Sequence, residues 1–315
     1  MSKQTFALLA IIIMLAVPAL AQENLGARPM GMGGAFAGLA DDANAIFINP
    51  AGIYQVQSEA VLVSTRLSEG REYTLIGGVE NTPLGAIGIG YVGSTDPIIS
   101  AASLIGWDGE ALTRYSTQTL YVSLARELNK EIKVSDNMGV LSVGANVKFS
   151  SRKLGTAKGL SQDGGSNIDL DLATVFKPNS DLSLGLSLQN FFSGDGLKDI
   201  PNLTTVEERK SAVLLGASGK IFGNSVTWVV EGTELGCEWQ PVRGLAIRAG
   251  RGLDCSTAGL GINLGGFGVD YAYLDKAEPV HYWSVSITPK TESNPTVVGK
   301  AIAQNEPKTA SVLPE

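Results

Sequence analysis

Side chains that do chemistry are scarce in this chain. One histidine and two cysteines occur in 315 residues. That supply gives no Ser-His-Asp or Cys-His set and no cluster of His and Cys ligands, which points away from an enzyme and from a bound cofactor. Charge is thin as well. Charged residues make up 17% and the net charge is −7, which excludes an electrostatic fit to nucleic acid. Past residue 21 no apolar run approaches the roughly 20 residues that a membrane helix needs.

Glycine and apolar residues are what the chain has in quantity: 38 Gly and 44% apolar. Glycine costs about 1 kcal/mol against alanine inside a helix, so a helical domain is disfavoured. Residues 1–21 read as a signal peptide. Lys3 gives the positive start, "FALLAIIIMLAV" (6–17) the apolar core, and Ala19-Leu20-Ala21 the cleavage pattern. Gln22 follows, not Cys, so a lipid anchor is not expected. An exported, weakly charged, glycine-rich chain without membrane helices suits one setting. That is a transmembrane β-barrel in the outer membrane of a Gram-negative-type bacterium.

From residue 59 onward the chain alternates in twos. "DLSLGLSLQN" (181–190) places Leu182, Leu184, Leu186 and Leu188 on one face, and Ser183, Gly185, Ser187 and Gln189 on the other. "GLAIRAGR" (244–251) and "GLGINLGG" (259–266) do the same. Successive strand side chains point to opposite faces, so each segment has an apolar wall for lipid and a polar wall for a lumen. About fourteen such segments follow one another, near the 9–11 residues of a tilted membrane strand. Their cores are 59–67, 73–80, 85–94, 116–128, 138–150, 167–177, 181–192, 210–221, 225–231, 235–240, 244–251, 257–265, 267–274 and 280–288. Short turns such as "NTPL", "KPNS" and "QPVR" alternate with longer connections at 95–115, 151–166 and 193–209. Short periplasmic turns and longer outer loops are the rule for membrane barrels. Tyr73, Tyr273, Trp228 and Trp283 are expected at the outer strand ends, and Phe176, Phe222 and Phe267 at the periplasmic ends, as two interfacial girdles. A soluble β-sandwich would carry more charge on its exposed face. The fold expected is therefore all-β, an antiparallel transmembrane barrel of about fourteen strands over 59–288.

Between signal peptide and barrel lies "GMGGAFAGLADDANAIFINPAGI" (31–53). A dinucleotide fingerprint fails here, because Phe36 stands where the third glycine belongs and no strand precedes it. A calcium loop fails for want of a distal Glu ligand. A small-residue segment of this length fits inside a barrel as a hatch, with glycines for close backbone approach and Pro50 to fix a turn. Gly31, Gly33, Gly34, Asp41, Asp42, Asn49 and Pro50 are its motif residues, within a hatch segment of 22–58.

"GARPMGMGGAFAGLADDANAIFINPAGI" resembles the amino-terminal signature of PorV-like outer-membrane proteins, relatives of the FadL-type fatty-acid transporters, whose hatch ends in a similar Asn-Pro-Ala. "LAIRAGR", "GLGINLGGFGVDYAYLD" and "HYWSVSI" resemble the family's closing strands. The resemblance implies a fourteen-stranded barrel with an internal hatch. It also implies one of two roles: passive passage of hydrophobic small molecules, or a non-enzymatic part in type IX secretion that binds exported cargo. The expected partners are outer-membrane lipid, the barrel-assembly machinery, and either a hydrophobic ligand or secreted protein cargo. The chain departs from the pattern in its end. A polar stretch, 289–315, follows the last strand and reads as a disordered periplasmic tail.

Lys148, Asp169, Asp171, Arg248 and Asp270 fall on the lumenal wall. They read either as ion pairs that hold the hatch or as a polar track for a solute, since buried charges need partners. Cys237 and Cys255 both fall near the outer rim, where an exported chain could bridge them if the Cα separation allows.

Overall fold

The computed structural model describes residues 26–56, 58–66, 72–97, 112–128, 139–156, 161–194, 196 and 211–289. The signal peptide expected at 1–21 and all but the first residue of the tail expected at 289–315 lie outside the described residues.

Fourteen strands form one closed antiparallel barrel. The first half comprises β1 (Ser58–Arg66), β2 (Glu72–Thr82), β3 (Gly85–Pro97), β4 (Leu112–Glu127), β5 (Val140–Thr156), β6 (Ser161–Lys177) and β7 (Leu182–Ser193). The second comprises β8 (Ala212–Ile221), β9 (Val226–Glu231), β10 (Glu234–Val242), β11 (Leu245–Arg251), β12 (Ser256–Leu264), β13 (Phe267–Asp275) and β14 (Val280–Ile287). Each pairs with its sequence neighbours, and β1 closes on β14 through Ala60–Val63 against Ser284–Ile287. The alternation read from sequence decides which side chains face where. On β7, Ser183, Gly185, Ser187 and Gln189 are buried toward the lumen while the intervening leucines face out. Ile89, Leu124, Ile168, Leu172, Ile247 and Leu260 are among the exposed apolar side chains of the outward wall. Such a belt is stable only in hydrocarbon, and closure leaves no sheet edge for it to expose.

The rim is uneven. β4, β5 and β6 run 16, 17 and 17 residues, whereas β9 has 6 and β11 has 7. The connection expected at 151–166 is therefore mostly strand, since the β5–β6 ladder continues from Lys153 against Asp163 to Gly155 against Ser161. Above the lipid both faces are polar, so the hydrophobic alternation vanishes while backbone pairing goes on. On the opposite side β9 and β10 are joined through Gly232 and Thr233 alone.

The girdle expectation needs two corrections. Tyr73 is 1% exposed and points into the lumen, because its parity on β2 matches Leu75 and not the outward Ile76. Trp228 is the third residue of a six-residue strand that rises from the periplasmic turn, and its indole covers Gly219 below the outer end. Trp283 does face outward, with Tyr271 beside it at 4.7 Å between ring centroids, and Tyr271 also bonds His281 Nδ1 at 2.8 Å. Phe222 and Phe267 are exposed at the periplasmic ends.

Candidate functional site: the hatch and its seat

Residues 26–56 lie inside the barrel. Within 26–53 only Arg28, Gly34 and Asp41 are less than fully buried. Two short helical turns, α1 (Ala27–Gly31) and α2 (Ala45–Ile48), and a 3-10 helix over Pro50–Gln55 are the only regular pieces. Local backbone bonds close these turns, and the donors and acceptors that such short pieces leave over must be met from outside.

The lumenal wall meets them. Glu231 accepts hydrogen bonds from the amides of Phe36 (3.0 Å) and Ala37 (2.7 Å). Gln189 donates to the carbonyls of Phe47 and Ile48, both at 3.2 Å, and Asn146 to that of Ile46 at 2.9 Å. Ser218 donates to Gly38 O, Ser142 to Ala51 O, and Thr257 to Gly31 O. Ser284 accepts from Ala27 N at 2.7 Å.

Wall glycines supply the room. A methyl group on Gly216 would sit 2.7 Å from Gly38 N, and one on Gly259 would sit 3.2 Å from the Gly31 Cα. On Gly144, Gly236 and Gly250 it would overlap the backbone of Ala51, Met32 and Gly33 respectively. On Gly90 it would meet the Phe47 ring at 2.6 Å. Glycines of the inner wall thus stand where hatch main chain lies against strand main chain.

The motif residues divide by role. Gly33 and Gly34 adopt φ of +77° and +91°, a region open to glycine at little cost. Gly31 closes α1 against β12. Asn49 caps the 3-10 helix, its side chain accepting from Ala51 N at 3.2 Å, with Pro50 at the first helical position. The Asn49 amide also donates to Ala37 O at 2.8 Å and to Thr174 O of β6 at 3.3 Å, joining two parts of the hatch to each other and to the wall. Asp41 and Asp42 both bind the Arg28 guanidinium, at 2.6 and 2.8 Å. Asp42 further accepts from the Asn44 backbone and side chain at 2.8 Å. Burial pushes the Asp42 carboxyl up from its ordinary value, although Arg28 pulls it down. Burial alone would lower the Arg28 guanidinium, but Asp41, Glu238 and Asp42 hold it well above its ordinary value.

The lumenal charges form two groups on opposite sides of the hatch. Arg248 pairs with Asp270 and with Glu238, each at 2.6 Å, and Glu238 also binds Arg28 at 3.0 Å. This chain of alternating charge ties the hatch to β10, β11 and β13. It borders a cavity of about 660 Å³ at the periplasmic mouth, which Glu59, Arg243 and Asn263 also line. Farther out, Lys148 pairs with Asp171 at 2.6 Å, and Asp169 accepts from Asn167 at 2.8 Å and from Ser193. The structure therefore does not bring the five sequence candidates into one track. Arg28, Glu231 and Glu238 were missed by sequence reasoning, although Glu234, Gly236 and Glu238 alternate with Leu235, Cys237 and Trp239 and so advertise a lumenal face. Among the described residues no group of three or more His, Cys, Asp or Glu is arranged to hold a metal ion.

Cys237 and Cys255 are free thiols. The bridge that the sequence left open is not formed, for a geometric reason. Cys237 is exposed on the outward face of β10, and Cys255 is buried just before β12, so the wall stands between them.

No family model matches the chain, and no curated protein does. Solved structures do. A structure described as the CymD monoaromatic hydrocarbon channel superposes with a TM-score of 0.50 at 11% identity, covering 84% of this chain and 96% of that one. A TodX deltaS2S3 mutant monoaromatic hydrocarbon channel gives 0.52 at 11% identity, covering 85% and 98%. This chain is a fourteen-stranded barrel similar in fold, over nearly the whole length of each, to these two hydrocarbon channels.

Proposed function

We propose that this protein is a passive outer-membrane channel for hydrophobic small molecules, with residues 26–56 as its gate. The observation that carries the reading is the two-sidedness of the hatch. Its periplasmic side is charged, through Arg28, Asp41 and Asp42. Its outer side is apolar and aromatic: Phe47 packs edge-on against Tyr121 at 5.2 Å, within a buried cluster that includes Ile46, Tyr73 and Leu75. Displacing this packing beside the Lys148–Asp171 pair would uncover an apolar surface of the kind a hydrophobic ligand requires. The likeness to two monoaromatic hydrocarbon channels supports the same class of solute. The partners on this reading are outer-membrane lipid, the assembly machinery that inserts the barrel, and the solute.

A second reading, a secretion partner that binds exported cargo, is favoured by the tall β4–β6 wall. Its 16 to 17 residues exceed the 9–11 that span a bilayer. Uptake of radiolabelled toluene by cells with and without the protein separates the two. Faster uptake with the protein, and faster still when residues 26–48 are removed from an assembled barrel, is the expected result. Equal uptake in all three strains would refute the channel.

A further inference from the structure

We infer that the outward wall of β3–β7 carries a binding groove for one acyl chain of a lipid of the outer leaflet. This goes beyond the channel reading and does not depend on it. The groove encloses about 670 Å³. Its floor is two cross-strand rungs in register. The lower rung is apolar: Leu120 of β4 pairs with Phe149 of β5, which pairs with Ile168 of β6. The upper rung is polar: Gln118 pairs with Ser151, which pairs with Ser166. The step from apolar to polar therefore falls in register on three adjacent strands and marks the passage from acyl chains to headgroups.

Both sides of the groove are built. Tyr91 of β3 pairs with Leu120 and stands on one side. A methyl group on Gly93 would lie 2.8 Å from the Tyr91 hydroxyl, so the ring runs along the strand and its hydroxyl reaches the polar rung. On the other side β7 bulges. Asn190 takes a φ of +50°, and the β6–β7 register jumps between Leu170 and Leu172. Past the bulge the exposed Phe192 lies opposite Leu170, and the Gly194 amide donates to Ile168 O at 3.1 Å. The bulge is pinned from the lumen, where Lys148 donates to the Asn190 side chain and the Asn190 amide donates to Asp171 at 2.8 Å. A buried ion pair thus fixes the shape of an external groove.

A bilayer lipid is the occupant these features select. The groove lies on the lipid-facing wall, its lower part offers Leu120, Phe149, Ile168 and Phe192 to a hydrocarbon chain, and its upper part offers hydroxyl and amide groups to an ester or headgroup.

Native mass spectrometry of the full chain in nonionic detergent, titrated with dioleoyl phosphatidylglycerol, tests this. Wild type should retain one lipid at a concentration about tenfold below the rest, the ratio that two extra buried methylenes give. Phe149→Ser should abolish that tight step, and Ser151→Trp should abolish it by filling the groove while leaving the apolar floor intact. Leu260→Ser, on the far side of the barrel, should keep it. Heat-modifiable migration shows that each variant has assembled. A tight step that survives both groove substitutions, that Leu260→Ser removes equally, or that is absent from wild type would overturn the assignment. So would displacement of the lipid by toluene, or a tight species that proves to be a second copy of the chain.

Discussion

Gly185 of β7 and Ala37 of the hatch are in main-chain contact: a methyl group on the glycine would overlap the alanine carbonyl. The same carbonyl accepts from Asn49. Neither the strand nor the hatch can shift there without breaking its own bonds.

Gly185→Val should therefore expel the hatch while leaving the barrel intact, because β7 pairs with β8 through its backbone in either case. Planar-bilayer recordings should show larger and noisier conductance than wild type, with heat-modifiable migration preserved. Gly78→Ala serves as the control, since its new methyl would lie 3.9 Å from the nearest atom, Glu59 O. Equal conductance in the two variants would show that the hatch tolerates displacement or does not block the lumen.

Arg28 is the cation on which hatch and wall both converge. Arg28→Met leaves Asp41, Asp42 and Glu238 facing one another, and removing one member of a buried ionic set costs about 3–5 kcal/mol. Protease sensitivity of the hatch in the assembled barrel should rise accordingly. Glu238→Gln combined with Arg28→Met should recover part of the loss, because the two side chains share one bond network. Strictly additive losses would mean that the network is not a unit.

The raised Asp42 carboxyl gives a pH dependence with a definite sign. The folded hatch binds this proton more tightly than the unfolded segment does. The contribution of Asp42 is thus most favourable below the ordinary carboxylate value of about 4, and it declines as pH rises through the raised folded value. Hatch protection from protease should fall over that window. Asp42→Asn should flatten this part of the profile. An unchanged slope would assign the dependence to another group.

Cys237 and Cys255 should both react with maleimide in denatured, unreduced protein. In the assembled barrel Cys255 should be protected, being 6% exposed. Mass spectrometry counts the adducts, and a denatured chain that takes up none would restore the disulfide.

The strands were legible because lipid on one side and a polar lumen on the other impose a period of two. Leu182 to Leu188 carry that signal without interruption. It fails at Lys153 and Asp163, which pair above the lipid where both faces are wet. Parity also contained more than was drawn from it. Cys237 shares its face with Leu235 and Trp239, which already turns it away from the lumen. Parity misleads at Tyr73, which shares its face with Leu75 and Val79: these apolar side chains turn inward because the buried hatch cluster, not lipid, receives them. Arg28 could not have been found by spacing, since its partners Asp41 and Glu238 are brought to it by a segment with little regular structure and by a strand 210 residues away. The hatch was legible as small, exported and preceding the first strand. Its seat was not, because a glycine that accommodates a backbone looks in sequence like any other.

Beyond the local backbone bonds of its turns, the hatch has amides and carbonyls satisfied by side chains from β5, β7, β8, β9, β12 and β14. Those strands are separated by up to 257 residues from the groups they bind. Contacts of such long range are slow to form. The first part of the described chain therefore depends for its shape on the last. Until β14 meets β1 the seat is incomplete, because only the closed barrel gives residues 26–56 all of their wall partners, from Asn146 on β5 to Ser284 on β14.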